Sequence, residues 1–181
     1  MSGVIFLRGQ KYKIQSNMSP VSLHIPEYNI LIVNSVLGRG VSLWSNVNIY
    51  GAFIDENVKI GSFVEIRSGV KIGRNTKIEP FVFIPEGVII EECVFVGPNV
   101  IFTNDLYPRA CNEKGEQINE YKIVETIVKK EASIGASSVI RCGIAIGKKA
   151  IIGAGSTVVE DVPDNTVVYG LKAGVRKFLN D

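Results

Sequence analysis

Residues 58–84 have the sequence VKIGSFVEIRSGVKIGRNTKIEPFVFI, and this stretch decides the fold because an aliphatic residue recurs at every sixth position. The same step extends in both directions along the chain. It is interrupted once, after residue 102, and before residue 54 it continues with one unit a residue short. The periodic positions are Leu37, Leu43, Ile49, Ile54, Ile60, Ile66, Ile72, Ile78, Ile84, Ile90, Val96, Phe102, and then Val128, Ile134, Ile140, Ile146, Ile152 and Val158.

The residues between these positions indicate very short strands joined by tight corners. The residue two before each periodic position is again apolar or small, as at Val58, Val64 and Val70, so both side chains share one face of a strand. Glycine, asparagine and proline collect between the pairs. Three such units make one turn of a parallel β-helix of about 18 residues, with the aliphatic column inside. The spacings of three and four typical of an amphipathic α-helix are missing, so any helix is expected only near the ends.

Length and composition set the wider limits. The chain has 181 residues, 46% of them apolar, which suits one domain with a sizeable core. A net charge of +2 gives no argument for nucleic acid or a membrane surface as a partner. No stretch looks like a signal peptide or a membrane span, which favours a cytoplasmic location. Cys93, Cys111 and Cys142 match no metal or redox spacing, so reduced structural thiols and no metal are expected.

Aliphatic-glycine steps such as Ile60-Gly61, Ile72-Gly73 and Ile146-Gly147 make the chain resemble the hexapeptide-repeat acyltransferases over residues 37–176. The resemblance implies a left-handed parallel β-helix, an exception to the right-handed crossover rule. It also implies a homotrimer with acetyl-CoA bound between neighbouring subunits. The expected organisation is one domain over 1–181, with repeats at about 37–163, a loop excursion at about 106–125 and a C-terminal tail at 164–181.

A change in the outward-facing residues gives an independent indication of self-association. The residue before each aliphatic position is polar early in the chain, as at Lys59, Glu65, Lys71 and Lys77, and becomes apolar later, at Phe83, Ile89, Phe95 and Ile101. An exposed apolar patch usually marks an interface. The first forty residues of the same chain are the alternative cover.

The interruption is a long polar loop. From Phe102 to Val128 is 26 residues, which is one six-residue unit plus a 20-residue excursion. Structureless connections of this length are usually functional or disordered. Its first part, FTNDLYPRA at 102–110, resembles a segment of hexapeptide-repeat N-acetyltransferases that act on nucleotide-linked 3-amino sugars for bacterial surface polysaccharides.

The loop and one early strand supply the candidate catalytic and substrate residues. Asn104 and Asp105 are the catalytic candidates, and Glu65, Tyr107 and Arg109 the substrate-binding ones, with the guanidinium suited to a pyrophosphate. The alternatives are a corner cap for Asn104 and Asp105, loop packing for Tyr107, a surface ion pair for Arg109 and a solvated side chain for Glu65.

The reaction also needs a proton acceptor, because the attacking amine must lose a proton. Asp105 or Glu65 would serve if buried, and the departing CoA thiolate is the favoured alternative. In that case the protein mainly positions the reactants, with Asn104 orienting the amine or a neighbouring hydroxyl. His24, the chain's one histidine, lies outside the repeats, and Pro98 occupies a position where relatives often have histidine.

The second block of repeats suits the cofactor. Small corner residues would let pantetheine approach the backbone, the Gly143 N–H would polarise the thioester carbonyl, and basic residues would meet the CoA phosphates. Structural glycine turns are the alternative, and Ala173-Gly174 departs from the Pro-Ala of the family near the adenine. The candidates are Ala136, Arg141, Gly143, Lys148, Lys149, Gly153, Ala154, Lys172 and Arg176.

The predicted function is therefore N-acetyl transfer from acetyl-CoA to the amino group of a dTDP- or UDP-linked amino sugar, the 3-amino group in particular. Two alternatives stay open. One keeps fold and cofactor but changes the acceptor to an antibiotic, a hydroxyl group or an amino acid. The other is a non-catalytic β-helix scaffold, which predicts no thermal stabilisation by acetyl-CoA.

Overall fold

The computed structural model describes residues 3–7, 9–14, 19–171 and 174–178. The strands, in chain order, are β1 (Gly3–Leu7), β2 (Gln10–Ile14), β3 (Val21–Ile25), β4 (Ile30–Leu37), β5 (Ser42–Leu43), β6 (Val47–Tyr50), β7 (Phe53–Ile54), β8 (Lys59–Ile60), β9 (Val64–Ile66), β10 (Lys71–Ile72), β11 (Lys77–Ile78), β12 (Phe83–Ile84), β13 (Val88–Ile90), β14 (Phe95–Val96), β15 (Ile101–Phe102), β16 (Thr126–Val128), β17 (Ser133–Ile134), β18 (Val139–Ile140), β19 (Ala145–Ile146), β20 (Ile151–Ile152), β21 (Thr157–Val158), β22 (Thr166–Tyr169) and β23 (Gly174–Phe178). The helical content of the described residues is one 3-10 turn at Pro26–Tyr28.

The short strands stack in parallel register into three faces. Face A runs from β5 through β8, β11, β14, β17 and β20 to β22, face B from β4 through β6, β9, β12, β15 and β18 to β21, and face C from β4 through β7, β10, β13 and β16 to β19. Strand β4 bends so that its first half starts face B and its second half starts face C. The predicted all-β class, a left-handed parallel β-helix, is confirmed.

The six-residue period is the spacing of the buried column. The periodic aliphatic side chains are at most a few per cent exposed, and Phe102 is the largest of the fully buried ones. Register pairs such as Ile60 with Ile78 are one 18-residue coil apart. Leu43 pairs with Ile60 and Ile49 with Ile66, so the first coil has 17 residues. The short unit seen in the sequence is therefore a tighter corner at Gly51, and the strands on either side of it still pair in register.

Residues with positive φ form a column at each edge between faces. At the edge between faces A and B these residues are Asn46, Phe63, Phe81, Asn99, Ser137 and Gly155. At the edge between faces C and A they are Gly40, Asn57, Asn75, Cys93, Glu131, Lys149 and Asn165. At the edge between faces B and C they are Asn34, Gly51, Gly69, Gly87 and Gly143. Only glycine adopts this conformation without a steric cost, so the B–C edge is the least strained.

The described N-terminal strands cap the first coil instead of covering the later ones. Strand β1 pairs with β5 and with β2, and β3 pairs with the outer edge of β4. Downstream, Phe83, Phe95 and Ile101 keep 37–41% of their surface exposed. Among the described residues, the first forty therefore do not cover this apolar patch. No described helix is long and apolar enough to cross a membrane.

A charged cluster at the C–A edge holds the coil before the interruption to the coil after it. Glu92 accepts hydrogen bonds from Arg74 Nε at 2.8 Å and from Lys130 Nζ at 2.5 Å. The Lys130 backbone N–H donates to Glu91 Oε2 at 2.7 Å. This cluster keeps the stack in register although 38 residues separate Glu92 from Lys130.

We expect the contribution of Glu92 to stability to disappear in acid. Hydrogen bonds from Lys130 and then Arg74 hold the pKa of its carboxyl below the ordinary 4.5. A carboxyl whose pKa is lower in the folded state stabilises the fold above its unfolded value, and that contribution is lost as pH falls through the folded value. Urea midpoints of Glu92→Gln should thus be below wild type at neutral pH and converge with it below 4.5. Glu113→Gln, at the exposed loop tip, is the control, and equal midpoints for Glu92→Gln and wild type at neutral pH would contradict the expectation.

Candidate functional site

Residues 103–125 form the loop that interrupts the stack at the B–C edge. Its two ends are joined, because the Val124 N–H donates to the Asn104 carbonyl at 3.1 Å. The Thr103 hydroxyl accepts the Cys142 N–H at 2.9 Å, which fixes the start of the loop to the next coil. Both anchors lie beside the position where β16 restarts the stack.

The far end of the loop is a small antiparallel turn in solvent. The Asn112 N–H donates to the Glu116 carbonyl at 2.9 Å, and the Ile118 N–H donates to the Ala110 carbonyl at 3.0 Å. The Asn112 side chain accepts the N–H groups of Lys114 and Glu116, both at 3.0 Å. This tip satisfies its own backbone and is exposed throughout.

The returning segment of the loop packs on the glycine column of the B–C edge. A Cβ placed on Gly87 would lie 2.5 Å from Ile123 Cγ2, and one on Gly143 would lie 2.9 Å from Val124 Cγ1. Glycine at both positions therefore lets the loop lie directly against the backbone of the stack. One coil earlier, Gly69 has nothing within 4 Å.

Between the two arms of the loop lies a cleft of about 710 Å³, called here the loop cleft. Four of the predicted site residues line it together, namely Asn104, Asp105, Tyr107 and Arg109. Tyr121 and Lys122 of the returning arm form its other wall. A cleft of this size suits a small-molecule ligand.

The Asn104 side chain is held in one orientation at the base of the cleft. Its Nδ2 donates to Glu86 Oε2 and to the Tyr121 hydroxyl, each at 3.3 Å. A carboxylate only accepts hydrogen bonds, so the amide NH₂ must face Glu86. The amide oxygen of Asn104 therefore points away from Glu86 and can accept a hydrogen bond from a ligand.

Arg67 extends this contact network towards Glu65. Its Nε lies 3.3 Å from Glu86 Oε1 and its Nη1 3.1 Å from Glu65 Oε1, with its guanidinium 5.4 Å from the centre of the Tyr50 ring. Burial alone lowers the pKa of Arg67, but the charges and hydrogen bonds of Glu86 and Glu65 outweigh it and raise the pKa further above its usual value. Glu65 is thus ion-paired, and it lines a separate hollow of about 290 Å³ with Asn48.

The other loop residues have simpler surroundings. Asp105 Oδ1 accepts the Tyr107 N–H at 2.9 Å, which is the corner cap named above as its alternative, and the residue is only half-buried. Tyr107 is 82% exposed, so its ring is not packed within this chain. Arg109 has no ion pair among the described residues and reaches only the Pro108 carbonyl, at 3.5 Å. Its guanidinium is therefore open to a ligand in the cleft.

The predicted cofactor residues do not meet within one chain. Ala136, Gly153 and Ala154 lie in corners of the A–B edge, Arg141 and Gly143 at the B–C edge, and Lys148 and Lys149 at the C–A edge. Lys172 lies outside the described residues, as does the side chain of Arg176, whose backbone belongs to β23. A single extended molecule cannot contact three edges of one prism. If these residues bind one cofactor, different subunits must supply them.

The oxyanion role predicted for Gly143 is not supported. Its N–H donates to the Thr126 hydroxyl at 3.2 Å and is already paired. The Thr126 side chain is buried beside the restart of the stack, so the contact serves the anchoring of β16. Another donor would have to polarise a thioester carbonyl.

His24 is exposed on β3, at the far end of the stack. Along face B, β3 is followed by β4, β6, β9, β12 and β15, the strand that precedes Asn104. Five steps of about 4.8 Å put roughly 24 Å between them along the stack. Within one chain, His24 is thus too distant to act at the loop cleft.

The comparisons with known proteins agree with this geometry. The family described as bacterial transferase hexapeptide (six repeats) matches residues 51–86 and 69–104, and that described as hexapeptide repeat of succinyl-transferase matches 126–160. The chain belongs to the hexapeptide-repeat family. The two matches stop on either side of residues 105–125, so the family pattern describes the stack and not the loop.

Two curated relatives match parts of the chain. The chain is 33% identical over 90 residues to a galactoside O-acetyltransferase of Lactococcus lactis, and the match covers 49% of this chain and 42% of the relative. The chain is 52% identical over 54 residues to a dTDP-3-amino-3,6-dideoxy-alpha-D-galactopyranose 3-N-acetyltransferase of Aneurinibacillus thermoaerophilus, and this match covers 30% of the chain and 28% of the relative. The chain thus spans less than half the length of either relative.

A solved structure supports the hexapeptide-repeat fold. The polySia-specific acetyltransferase NeuO superposes with a TM-score of 0.60 at 21% identity, over 81% of this chain and 69% of NeuO. At this identity the likeness concerns the fold alone.

Sequence reasoning missed Glu86, Arg67 and Tyr121. Glu86 precedes Asn104 by 18 residues, which is one coil of the hexapeptide-repeat stack, so a search one coil back would have found it. Arg67 lies 19 residues before Glu86, on the same edge. Tyr121 carries no such signal, because the loop does not follow the period.

Gly87→Ala should loosen the returning arm of the loop. The new Cβ would meet Ile123 at 2.5 Å and push it off the stack. We expect trypsin to cut at Lys114 and Lys122 about tenfold faster than in wild type, equal to a local loss of about 1.4 kcal/mol. Gly69→Ala is the matched control, since it has a similar positive φ but no contact with the loop. Equal cleavage rates for the two variants would refute this packing role.

Proposed function

We propose that this chain is an acetyl-CoA-dependent N-acetyltransferase whose acceptor is the amine, the 3-amino group in particular, of a dTDP- or UDP-linked sugar. The observation that carries the proposal is the Asn104 amide, which is held by Glu86 and Tyr121 and lines a cleft together with Tyr107 and Arg109. The 52% identity to a dTDP-3-amino sugar 3-N-acetyltransferase over 54 residues supports the choice of acceptor.

The chemistry of the cleft fits an amine. Asn104 Oδ1 accepts one N–H of the neutral amine and so directs the nitrogen lone pair at the thioester carbonyl carbon. The C–N bond forms as the C–S bond breaks, and the departing thiolate takes the extra proton of the amine. Orientation of this kind can lower a barrier by about 7–11 kcal/mol. Glu86 and Tyr121 hold Asn104, and Arg109 is open to a phosphate of the acceptor.

A hydroxyl acceptor fits less well. A hydroxyl needs a general base at the reacting oxygen, whereas a neutral amine does not. The chain's one histidine is exposed about 24 Å along the stack from Asn104. Asp105 caps its own turn and Glu65 is ion-paired to Arg67, so neither stands free as a base.

The assembly proposed with this function is a homotrimer that binds acetyl-CoA between subunits. Two observations support it. The basic and small residues suited to the cofactor lie on three different edges of one chain. In addition, Phe83, Phe95 and Ile101 form an exposed apolar patch on faces A and B that the described N-terminal segment leaves open.

The test is release of CoA thiol from acetyl-CoA in the presence of a panel of acceptors. The panel contains dTDP- and UDP-linked 3-amino and 4-amino sugars, a galactoside and the free amino sugars. We expect turnover with a nucleotide-linked amine and none with the galactoside. Turnover of the galactoside would favour the O-acetyltransferase alternative. A protein that neither turns over any acceptor nor is thermally stabilised by acetyl-CoA would be a scaffold.

A further inference from the structure

We propose that a second concavity of the chain, the Trp44 slot, binds a nucleoside diphosphate, with the base against Trp44 and the phosphates on Lys59 and Lys77. The slot has a volume of about 390 Å³ and is lined by Trp44, Lys59, Gly61, Ser62, Lys77, Ile78, Glu79 and Pro80. It lies on face A at the A–B edge, whereas the loop cleft lies at the B–C edge.

The two lysines give the slot its anion preference. Lys59 and Lys77 are directly opposite each other in the β8–β11 register, and both side chains are exposed. Neighbouring strands are about 4.8 Å apart, and like charges at that distance are unfavourable without a counter-ion. Within the described part of the chain, neither ammonium group forms an ion pair. A diphosphate is a ligand whose adjacent charges match this pair.

The aromatic wall gives the slot room for a flat ring. Trp44 is 41% exposed, and the position one coil below it is Gly61. Gly61 has no side chain for a packing reason, because a Cβ there would lie 2.7 Å from Pro80 N. Because Gly61 has no side chain, the space beside the indole of Trp44 is open, and a nucleotide base can stack on the indole face.

Two polar side chains of the slot favour binding of a nucleotide over binding of an inorganic anion. Glu79 and Ser62 line the same slot and offer acceptors for a ring N–H or a ribose hydroxyl. With one carboxylate and two ammonium groups, the slot keeps a net positive charge. Inorganic pyrophosphate would use only the lysines, so it should bind more weakly than a nucleoside diphosphate.

The natural source of such a ligand is a nucleotide-linked sugar, the class of molecule proposed above as acceptor, and in this respect the inference rests on the proposed function. The binding itself does not. It can be measured without acetyl donor or sugar, so failure of transfer and failure of the slot give different results.

Trp44 is the chain's one tryptophan, so its selectively excited fluorescence reports directly on the slot. The full chain is titrated with dTDP, UDP, thymidine and inorganic pyrophosphate. We expect a saturable change with the two diphosphates, and about tenfold weaker binding in Lys59→Met and in Lys77→Met, as loss of a charged hydrogen bond predicts. Lys59→Arg should keep binding within about twofold, and Lys71→Met, an exposed lysine on face C, is the control.

Three results would overturn the inference. They are no saturable change with either diphosphate, unchanged affinity in both methionine variants, or pyrophosphate binding as tightly as dTDP, which would leave an anion site only. If the diphosphates bind but no amino sugar is acetylated, the nucleotide site in the Trp44 slot is supported and the proposed function is contradicted.

Discussion

Asn104→Ala is expected to lower kcat/KM for acetyl transfer to a nucleotide-linked amino sugar by about 100-fold, or about 2.7 kcal/mol of barrier. The substitution removes the oxygen that would hold the amine and also frees Glu86 and Tyr121 from their common partner. Folding should change little, because the residue is half-buried in a loop. Thiol release by the purified variant, with a melting curve beside it, measures both effects.

Two further variants make this result specific. Asn112→Ala alters the same residue type at the loop tip, outside the cleft, and should leave kcat/KM unchanged. Asn104→Asp would place a second carboxylate about 3.3 Å from Glu86, where like charges repel, and should be at least as inactive as the alanine variant. Full turnover by Asn104→Ala would remove this residue from the site.

Phe102→Ala is expected to destabilise the fold by about 3–5 kcal/mol, the usual cost of emptying a buried phenylalanine site. Phe102 is 1% exposed and is the largest fully buried side chain. It pairs in register with Ile140 of the next coil and ends the strand from which the loop departs. For a chain of this size the melting temperature should fall by roughly 6–20 °C.

The matched variant is Phe102→Leu, which keeps an apolar side chain and should cost less than about 1.5 kcal/mol. The free energy of unfolding from urea titration decides between them. A loss below about 1 kcal/mol in Phe102→Ala would mean that the coils collapse onto the vacated space.

The periodic part of the fold was predictable because one physical requirement repeats. Each unit must bury one aliphatic side chain, as at Ile60, Ile78 and Val96, and each must turn a corner, so the sequence shows both signals at fixed spacing. The sequence also showed that one early unit was a residue short, and the structure locates this at Gly51. Capping of the first coil by β1 and β3 has no such repeat and was not predicted.

The site was predictable only where its residues are contiguous. Asn104, Asp105, Tyr107 and Arg109 follow one another in the chain, and the structure places all four around one cleft. The partner of Asn104 comes from the coil before it, so a linear pattern did not show Glu86. The partner of the Gly143 N–H was not visible in the sequence for a related reason, because it is the Thr126 hydroxyl, 17 residues earlier.

The anchoring of the loop has a consequence for how such proteins diverge. Contacts between successive coils normally join residues 18 apart, as in Arg74 and Glu92, whereas the contact across the loop joins residues 38 apart. Doubling the length of a flexible loop raises the entropic free-energy cost of closing it by only about 0.6 kcal/mol. Insertions and exchanges at this corner therefore cost little stability, so the sequence of the loop can change while the stack stays the same.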